Sequence, residues 1–243
     1  MTDDGPWLSR VAVIIPALNE AGNLATLLPM LTRLDVGQIV VGDNASTDGT
    51  GDVARELGAT VAHAPKRGYG AACDAALARM NDEIEFVVFL DADLSDEPTL
   101  LPALVQPIAD DECDLVIGHR SAELREPGAM TPPQRLGDWL ATRLIRLGWG
   151  YRYADLGPFR AIRRSSLERI GMRDRAFGWT VEMQVRAVEE RLRIRQIPVP
   201  CRRRRGRSKI SGSVKGVALA GYWILSTLAR LWWTRSSRLS GTV

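Results

Sequence analysis

A run of five apolar residues, 86–90, leads directly into Asp91-Ala92-Asp93. A short continuous apolar run is typical of a strand buried on both faces of a parallel sheet. Such a strand delivers the residues after it to the carboxyl edge, where open α/β sheets bind ligands. Asp91 and Asp93 alternate on extended backbone, so we expect both carboxylates to hold Mg²⁺ or Mn²⁺ on a phosphate. The alternative interpretation is a loop or a helix cap.

The size and composition of the chain fit one globular domain with a short appendage. Its 243 residues are 45% hydrophobic, which is enough for a sizeable core. Three cysteines (Cys73, Cys113 and Cys201) lack zinc or redox spacing, so we interpret them as reduced thiols of a cytosolic protein. Only two histidines occur, which argues against a multi-histidine metal site. No secretory signal is indicated at the N-terminus.

The net charge of +3 hides a strong asymmetry along the chain. Residues 191–243 carry thirteen lysines and arginines and no acid, whereas residues 1–190 hold nineteen basic and twenty-nine acidic groups. An acidic body with a basic tail predicts that the tail meets an anionic surface. Anionic lipid and nucleic acid both qualify, and charge alone does not choose between them.

Strand and helix patterns alternate along the first part of the chain. Strands are predicted at 11–15, 39–41, 60–62, 86–90, 115–118 and 159–162. Helices are predicted around 24–31, before 58, and at 71–80, 99–109, 136–147 and 180–192. This alternation predicts an α/β fold in three layers, with a mostly parallel sheet between helices. The proline-containing segment 120–133 is expected to form a mobile loop near the site.

The apolar segment 214–234 follows the run of arginines and is predicted to be a helix. Its uncharged part, 216–229, is fourteen residues long, whereas a helix spanning a bilayer needs about 20. Trp223, Trp232 and Trp233, flanked by cations, favour a helix lying in a membrane interface. The alternatives are a helix packed on the body or in a homodimer, and a true span. We therefore divide the chain into a domain at 1–212 and an amphiphilic appendage at 213–243.

Polar residues follow two further strands at the same predicted edge. Glu20 comes after the first strand and Asp43 ends the second, so both are expected near Asp91 and Asp93. The segment 66–72 contains glycines and opens a helix, whose N-terminus favours phosphate. It lacks the Walker A and dinucleotide-binding patterns.

Together these residues resemble family 2 glycosyltransferases of GT-A fold. The motifs are Ile15-Pro16-Ala17-Leu18-Asn19-Glu20, Asp43-Asn44-Ala45-Ser46-Thr47-Asp48-Gly49-Thr50, Arg67-Gly68-Tyr69-Gly70-Ala71 and Asp91-Ala92-Asp93. Three further motifs resemble the branch that transfers mannose or glucose to polyprenyl (dolichyl) phosphate. They are Gly118-His119-Arg120, Asp155-Leu156-Gly157-Pro158-Phe159-Arg160-Ala161 and Arg203-x-x-Gly206-x-Ser208-Lys209-Ile210-Ser211-Gly212.

The resemblance implies a role for each matching residue. Asp91 and Asp93 would hold the metal, although Ser95 stands where some members of the family carry a glutamine ligand. Arg120 and Arg135 would face the acceptor phosphate. The donor would be bound by Pro16, Asn19, Glu20, Asp43, Lys66, Gly70, Asp91, Ala92, Arg203, Ser208 and Lys209. The catalytic set would be Asp93, Arg120, Arg135 and Glu182.

A phosphate acceptor would need no general base, and the sequence lacks the group of acids that would supply one. A phosphate monoester is largely dianionic near pH 7, because its second pKa is about 6, so it attacks without a dedicated base. Members with alcohol acceptors usually carry several acids on a late helix, where this chain has Glu182 alone. Glu182 is therefore either a general base or a residue that orients an arginine or the acceptor.

The sequence thus predicts an inverting, metal-dependent hexosyltransferase that moves the sugar of GDP-mannose or UDP-glucose to polyprenyl phosphate. It would lie peripherally on the cytoplasmic face of the cell membrane, held by its basic tail. One alternative keeps the fold but takes a soluble acceptor. Another is a nucleic-acid-binding protein, which the acidic body and the lack of a nucleic-acid motif disfavour. A nucleotidyltransferase would need a glycine- and arginine-rich N-terminal loop that this sequence lacks.

Overall fold

A seven-stranded sheet runs through the centre of the described residues. The computed structural model describes residues 5–206 and 214–240, with side chains for 5–206 and 221–235. The strands are β1 (Val11–Ala17), β2 (Gln38–Asp43), β3 (Thr60–His63), β4 (Phe86–Phe89), β5 (Leu115–Arg125), β6 (Arg160–Arg163) and β7 (Ile194–Cys201). Their order is β3-β2-β1-β4-β6-β5-β7. β6 runs antiparallel to β4 and β5, and the other pairs are parallel.

Helices cover both faces of the sheet. They are α1 (Ala21–Thr32), α2 (Thr50–Glu56), α3 (Tyr69–Leu77), α4 (Leu101–Ala109), α5 (Pro132–Trp149), α6 (Arg164–Ile170), α7 (Trp179–Glu189) and α8 (Val214–Ser240), with short 3₁₀ turns at Leu8–Arg10 and Pro98–Leu100. Side chains alternate along a strand, so Ala12 and Ile14 of β1 face one core while Val11, Val13 and Ile15 face the other. The predicted three-layer α/β fold is confirmed.

The strand β7 was not predicted from the sequence. For that reason its partner β5 was predicted to end too early, at 118. β7 contains Pro198 and Pro200, which normally argue against a strand. It lies at the edge of the sheet, where its outward side needs no ladder hydrogen bonds and proline is tolerated. Pairing with β7 extends β5 to Arg125, with an irregularity after Arg120. The predicted mobile loop at 120–133 is therefore wrong for 120–125.

The helix α5 begins four residues earlier than predicted, because two prolines occupy its first turn. The side chain of Thr131 accepts the N–H of Gln134, and the Gln134 side chain accepts the N–H of Thr131. This reciprocal cap starts a helix, and proline fits its first positions, where the backbone N–H has no partner in the helix. The sequence prediction interpreted Pro132 and Pro133 as loop residues, which is wrong.

The helix α8 packs one face into the core of the protein. Thr227, Leu228 and Leu231 are almost fully buried, and α8 contacts α5 and α7. The ring of Trp232 meets Trp149 edge-on at 5.8 Å. On the other face Trp233 is 79% exposed. No helix in the described part of the chain has the length and hydropathy needed to cross a bilayer. The proposed boundary at 212/213 lies outside the described residues.

Replacing Leu231 with alanine tests whether α8 is part of the folded domain. Leu231 is 3% exposed in the core, so Leu231→Ala should lower the free energy of unfolding by about 2–5 kcal/mol. The control Leu225→Ala removes an equal side chain that is 42% exposed and should change stability by less than about 0.5 kcal/mol. Urea denaturation followed by circular dichroism measures both. Equal effects would mean that α8 does not fold onto the domain.

Candidate active site

A cavity of about 430 Å³ lies at the edge of the sheet where β1, β2 and β4 end. Parallel pairing aligns these ends, because Ala17 lies opposite Asp43 and Ile14 opposite Phe89. Among the described residues, the lining is formed by Pro16, Ala17, Leu18, Glu20, Asn44, Arg67, Gly68, Tyr69, Ala72, Asp91, Ala92, Asp93, Ala176, Phe177, Arg204, Arg205 and Trp223. Ligands of open α/β sheets bind at this edge.

Asp91 and Asp93 both line the cavity, and each has one carboxylate oxygen held by the protein. The hydroxyl of Tyr69 donates to Oδ1 of Asp91 at 3.0 Å, and the N–H of Ser95 donates to Oδ1 of Asp93 at 3.0 Å. Burial, and after it the charge of Asp93, raises the pKa of Asp91 to about 6. Within the described residues no group of three or more His, Cys, Asp and Glu side chains is placed to bind a metal.

Two arginines of the basic tail reach the same cavity. Nη2 of Arg204 lies 3.2 Å from Oδ2 of Asp93. The backbone N–H of Arg205 donates to the carbonyl of Asp93 at 2.9 Å, and its own carbonyl accepts from the Asn23 side chain at 3.1 Å. These contacts fix the tail across the loop that follows β4. Both arginines were missed from the sequence, because a run of four arginines carries no signal that separates one from another.

Arg203 was predicted to bind the donor, but it lies outside this cavity. Its N–H donates to Glu126 at 2.8 Å and its Nε to the carbonyl of Pro127 at 2.5 Å. It lines a neighbouring cavity of about 280 Å³ together with Arg202. Ser208 and Lys209, the other predicted tail residues, lie outside the described residues.

The remaining predicted donor residues divide into those that line the cavity and those that support it. Pro16, Glu20 and Ala92 are in the lining. Asn19 and Asp43 instead shape the loop after β2: Oδ1 of Asn19 accepts the N–H of Thr47 at 2.8 Å, and Oδ1 of Asp43 accepts the N–H of Ser46 at 3.0 Å. Lys66 is exposed and outside the lining.

The backbone N–H groups of Gly70 and Ala71 at the start of α3 are hydrogen-bonded within the protein. The N–H groups of Gly70 and Ala71 donate to the carbonyls of Ala176 and Arg175 at 3.0 and 2.9 Å. A Cβ on Gly70 would overlap the carbonyl oxygen of Asp174. The expectation that this helix N-terminus is open to phosphate is therefore wrong, because the glycine allows a close approach of the segment 174–176.

Arg120, a predicted acceptor residue, is bound by two aspartates below the surface. Its Nε and Nη2 donate to the two oxygens of Asp155 at 2.6 and 2.5 Å, and Nη2 lies 3.5 Å from Asp138. Burial alone would raise the pKa of Asp155, but Arg120 outweighs it and keeps the pKa below its ordinary value. Burial, and then the charge of Asp155, raises the pKa of Asp138 to about 8. Arg135 is exposed on the first turn of α5.

Glu182 is fully buried in α7 and does not line the cavity. Its carboxylate accepts the backbone N–H groups of Arg173 and Asp174 at 2.9 and 2.6 Å. It also accepts Nε of Arg186 at 2.9 Å. These hydrogen bonds give Glu182 a structural role: it holds residues 173 and 174, which lead into the cavity wall. Both of its carboxylate oxygens thus have partners within the protein, away from the cavity lining.

The family model "Glycosyl transferase family 2" matches residues 12–171, and the chain belongs to this family. An uncharacterized glycosyltransferase of Mycobacterium tuberculosis is 34% identical over 219 residues, covering 88% of this chain and 96% of that protein. The undecaprenyl-phosphate mannosyltransferase of Micrococcus luteus is 30% identical, covering 86% of this chain and 91% of that protein.

A solved structure shares the fold at lower identity. Glucosyl-3-phosphoglycerate synthase of Mycobacterium tuberculosis, in complex with Mn²⁺, UDP-glucose and phosphoglyceric acid, superposes with a TM-score of 0.74. The match is 22% identical and covers 91% of this chain and 79% of that chain. At this identity the similarity establishes the GT-A fold alone.

Adding one methyl group at Gly70 tests the packing of the glycine turn. Because a Cβ there would overlap the carbonyl of Asp174, Gly70→Ala should lower the free energy of unfolding by about 1–3 kcal/mol. Gly22→Ala is the matched control: its Cβ would meet nothing within 4 Å, and alanine favours the helix by up to about 1 kcal/mol. Thermal unfolding measures both variants. A Gly70→Ala protein as stable as Gly22→Ala would contradict the close packing.

Proposed function

We propose that this chain transfers a hexose from a nucleotide sugar to a polyprenyl phosphate, with inversion at the anomeric carbon. One observation carries the proposal: Asp91, Asp93, Arg204 and Arg205 line a single cavity at the ligand-binding edge of the sheet. Carboxylates suit a divalent cation and guanidinium groups suit phosphate, so the lining fits a nucleoside diphosphate with its metal. The similarity to the undecaprenyl-phosphate mannosyltransferase supports a lipid phosphate as the acceptor.

Asp91 and Asp93 fit Mg²⁺ or Mn²⁺ as the cofactor. Both supply hard carboxylate oxygens, and Mg²⁺ is commonly held by one or two carboxylates together with substrate phosphates and water. When bound, the metal would neutralise charge on the departing diphosphate. The glucosyl-3-phosphoglycerate synthase structure contains Mn²⁺ with UDP-glucose, which supports a divalent cation as the cofactor. Tyr69 would then act as an outer partner that orients Asp91, through its 3.0 Å hydrogen bond.

The residues of the chain supply charge and position rather than a base. Arg204 is paired with Asp93 at 3.2 Å, so a diphosphate entering the cavity could take over its guanidinium. A dianionic phosphate acceptor attacks without losing a proton, which agrees with the buried position of Glu182. The acceptor roles of Arg120 and Arg135 remain predictions.

Contact with an anionic bilayer is the second part of the proposal. In the described part of the chain, nine of the eleven large hydrophobic side chains that are exposed lie on the adjacent helices α5 and α8. They are Leu136, Trp139, Leu140 and Leu147 on α5, and Tyr222, Trp223, Leu225, Trp232 and Trp233 on α8. The last fifty-three residues contain no acid. Exposed aromatic side chains beside cations favour the interface of an anionic membrane. Dimerisation through the same face is the alternative.

A transfer assay with two donors and two acceptors tests the reaction. Labelled GDP-mannose and UDP-glucose are each given with Mg²⁺ or Mn²⁺ and either a short polyprenyl phosphate or 3-phosphoglycerate. We expect label in the organic phase with one donor, and loss of that label with EDTA. Asp93→Asn should reduce transfer at least about 100-fold, because the metal site loses a charged ligand. The surface variant Asp52→Asn is the control.

The outcomes of this assay separate the two acceptors. If label appears in 3-phosphoglycerate and not in the lipid, the proposed lipid acceptor is wrong and the acceptor is a soluble phosphate. Normal transfer by Asp93→Asn would remove the metal assignment.

Vesicle co-sedimentation tests the membrane surface. Wild-type protein should bind vesicles that contain phosphatidylglycerol more tightly than vesicles of phosphatidylcholine alone, because its tail is basic. Trp233→Ala should weaken vesicle binding at least about threefold. The Trp233 side chain is 79% exposed in the free protein and would be buried in the membrane interface on binding, and alanine lacks that apolar surface. Leu124→Ala, on β5 and 46% exposed, should bind like the wild type. If Leu124→Ala weakens binding as much as Trp233→Ala, the α5 and α8 surface is not the contact. Dimers without vesicle binding would favour the alternative.

A further inference from the structure

Asp174 is a buried carboxylate that joins α8 to the segment before α7. It is 4% exposed, and the segment 174–178 turns around its side chain. Oδ1 accepts the backbone N–H groups of Ala176 and Gly178 at 2.8 and 3.1 Å. Oδ2 accepts the hydroxyl of Thr227 at 2.8 Å and lies 3.4 Å from Nη2 of Arg230. One oxygen therefore fixes the segment and the other fixes α8.

The segment that Asp174 fixes is a wall of the candidate donor cavity. Ala176 and Phe177 are in the lining. The carbonyls of Arg175 and Ala176 accept the N–H groups of Ala71 and Gly70 in the first turn of α3, which ties the wall to that turn on its other side. Movement of the segment would therefore change the shape of the cavity and the start of α3 together.

The helix α8 contributes its own residue to the same cavity. Trp223 is in the lining and lies four residues before Thr227, so both side chains are on one face of the helix. A Cβ on Gly178 would overlap Oγ1 of Thr227, which shows how closely α8 approaches the segment. The Thr227–Asp174 hydrogen bond thus sets the position from which Trp223 reaches the cavity.

We propose that Asp174 is a positioning residue for the donor: it fastens α8 to the wall at 174–178, so that Trp223 closes the cavity. The proposal rests on the proposed function in taking the ligand to be a nucleoside diphosphate. Binding in the cavity and attachment of α8 are then coupled, and the coupling is reciprocal. A nucleotide should stabilise the attached helix, and a detached helix should weaken nucleotide binding.

Thr227 provides the test, because its hydroxyl can be removed without changing the shape of the side chain. The affinities of UDP and GDP, each with Mn²⁺, are measured by calorimetry. Trypsin cleavage after Arg230 and Arg235 is followed with and without nucleotide. In the wild type, nucleotide should slow this cleavage. Thr227→Val should raise the dissociation constant about three- to tenfold and abolish the protection, because a buried carboxylate loses a donor.

Two matched variants separate positioning from loss of structure. Thr227→Ser keeps the hydroxyl and should restore both affinity and protection. Ser226→Ala removes a neighbouring hydroxyl that, among the described residues, bonds within α8 to the carbonyl of Trp223, and it should behave like the wild type. If Thr227→Val does not fold, Trp223→Leu at a partly exposed position should still weaken nucleotide binding.

Two results would overturn the proposal. The first is a folded Thr227→Val protein with wild-type affinity and protection. The second, if that variant does not fold, is a Trp223→Leu protein with wild-type affinity. If the wild type binds neither nucleotide, the proposed function fails instead. The attachment of α8 is then judged by cleavage without ligand, which Thr227→Val should accelerate and Thr227→Ser should not. Equal cleavage rates in these two variants would exclude the attachment as well.

Discussion

The parallel pairing of β1 with both β2 and β4 is the constraint on which the candidate site depends. It aligns three strand ends and brings Asp43, Asp91 and Asp93 to one edge of the sheet. Charges collected at a buried edge lose hydration and repel one another, which is why the pKa of Asp91 rises to about 6. The protein offsets this with hydrogen bonds to each carboxylate and with Arg204. A buried carboxylate with a perturbed pKa in a cleft is a common feature of functional sites.

The sequence predicted the fold well where local pattern and final environment agree. The buried strands near the centre of the sheet have continuous apolar runs, so β1, β2 and β4 were found within two residues at each end. β7 was not predicted, because its prolines are acceptable only in an edge strand and a sequence does not reveal which strand is at the edge. The start of α5 was predicted too late for a related reason. Proline is found both where helices begin and just after they end, so Pro132 and Pro133 alone do not identify a helix start.

The candidate site was predictable in its acidic half and less so elsewhere. Asp91 and Asp93 follow a strand, and their position is fixed by the chain next to them. Arg204, Phe177 and Trp223 reach the cavity through tertiary contacts of segments far away in the sequence, for which no periodicity exists. Gly70 was recognised as unusual, but the partner that required it was a carbonyl of the protein rather than a phosphate.

The cavity is thus made from two stretches of chain with different origins. The family match ends at residue 171, whereas Ala176, Phe177, Arg204, Arg205 and Trp223 all come later. The first stretch holds the carboxylates, and the second adds two arginines and the aromatic side chains of Phe177 and Trp223. A minimal fragment cut at the family boundary would therefore keep its aspartates and lose the walls that enclose them.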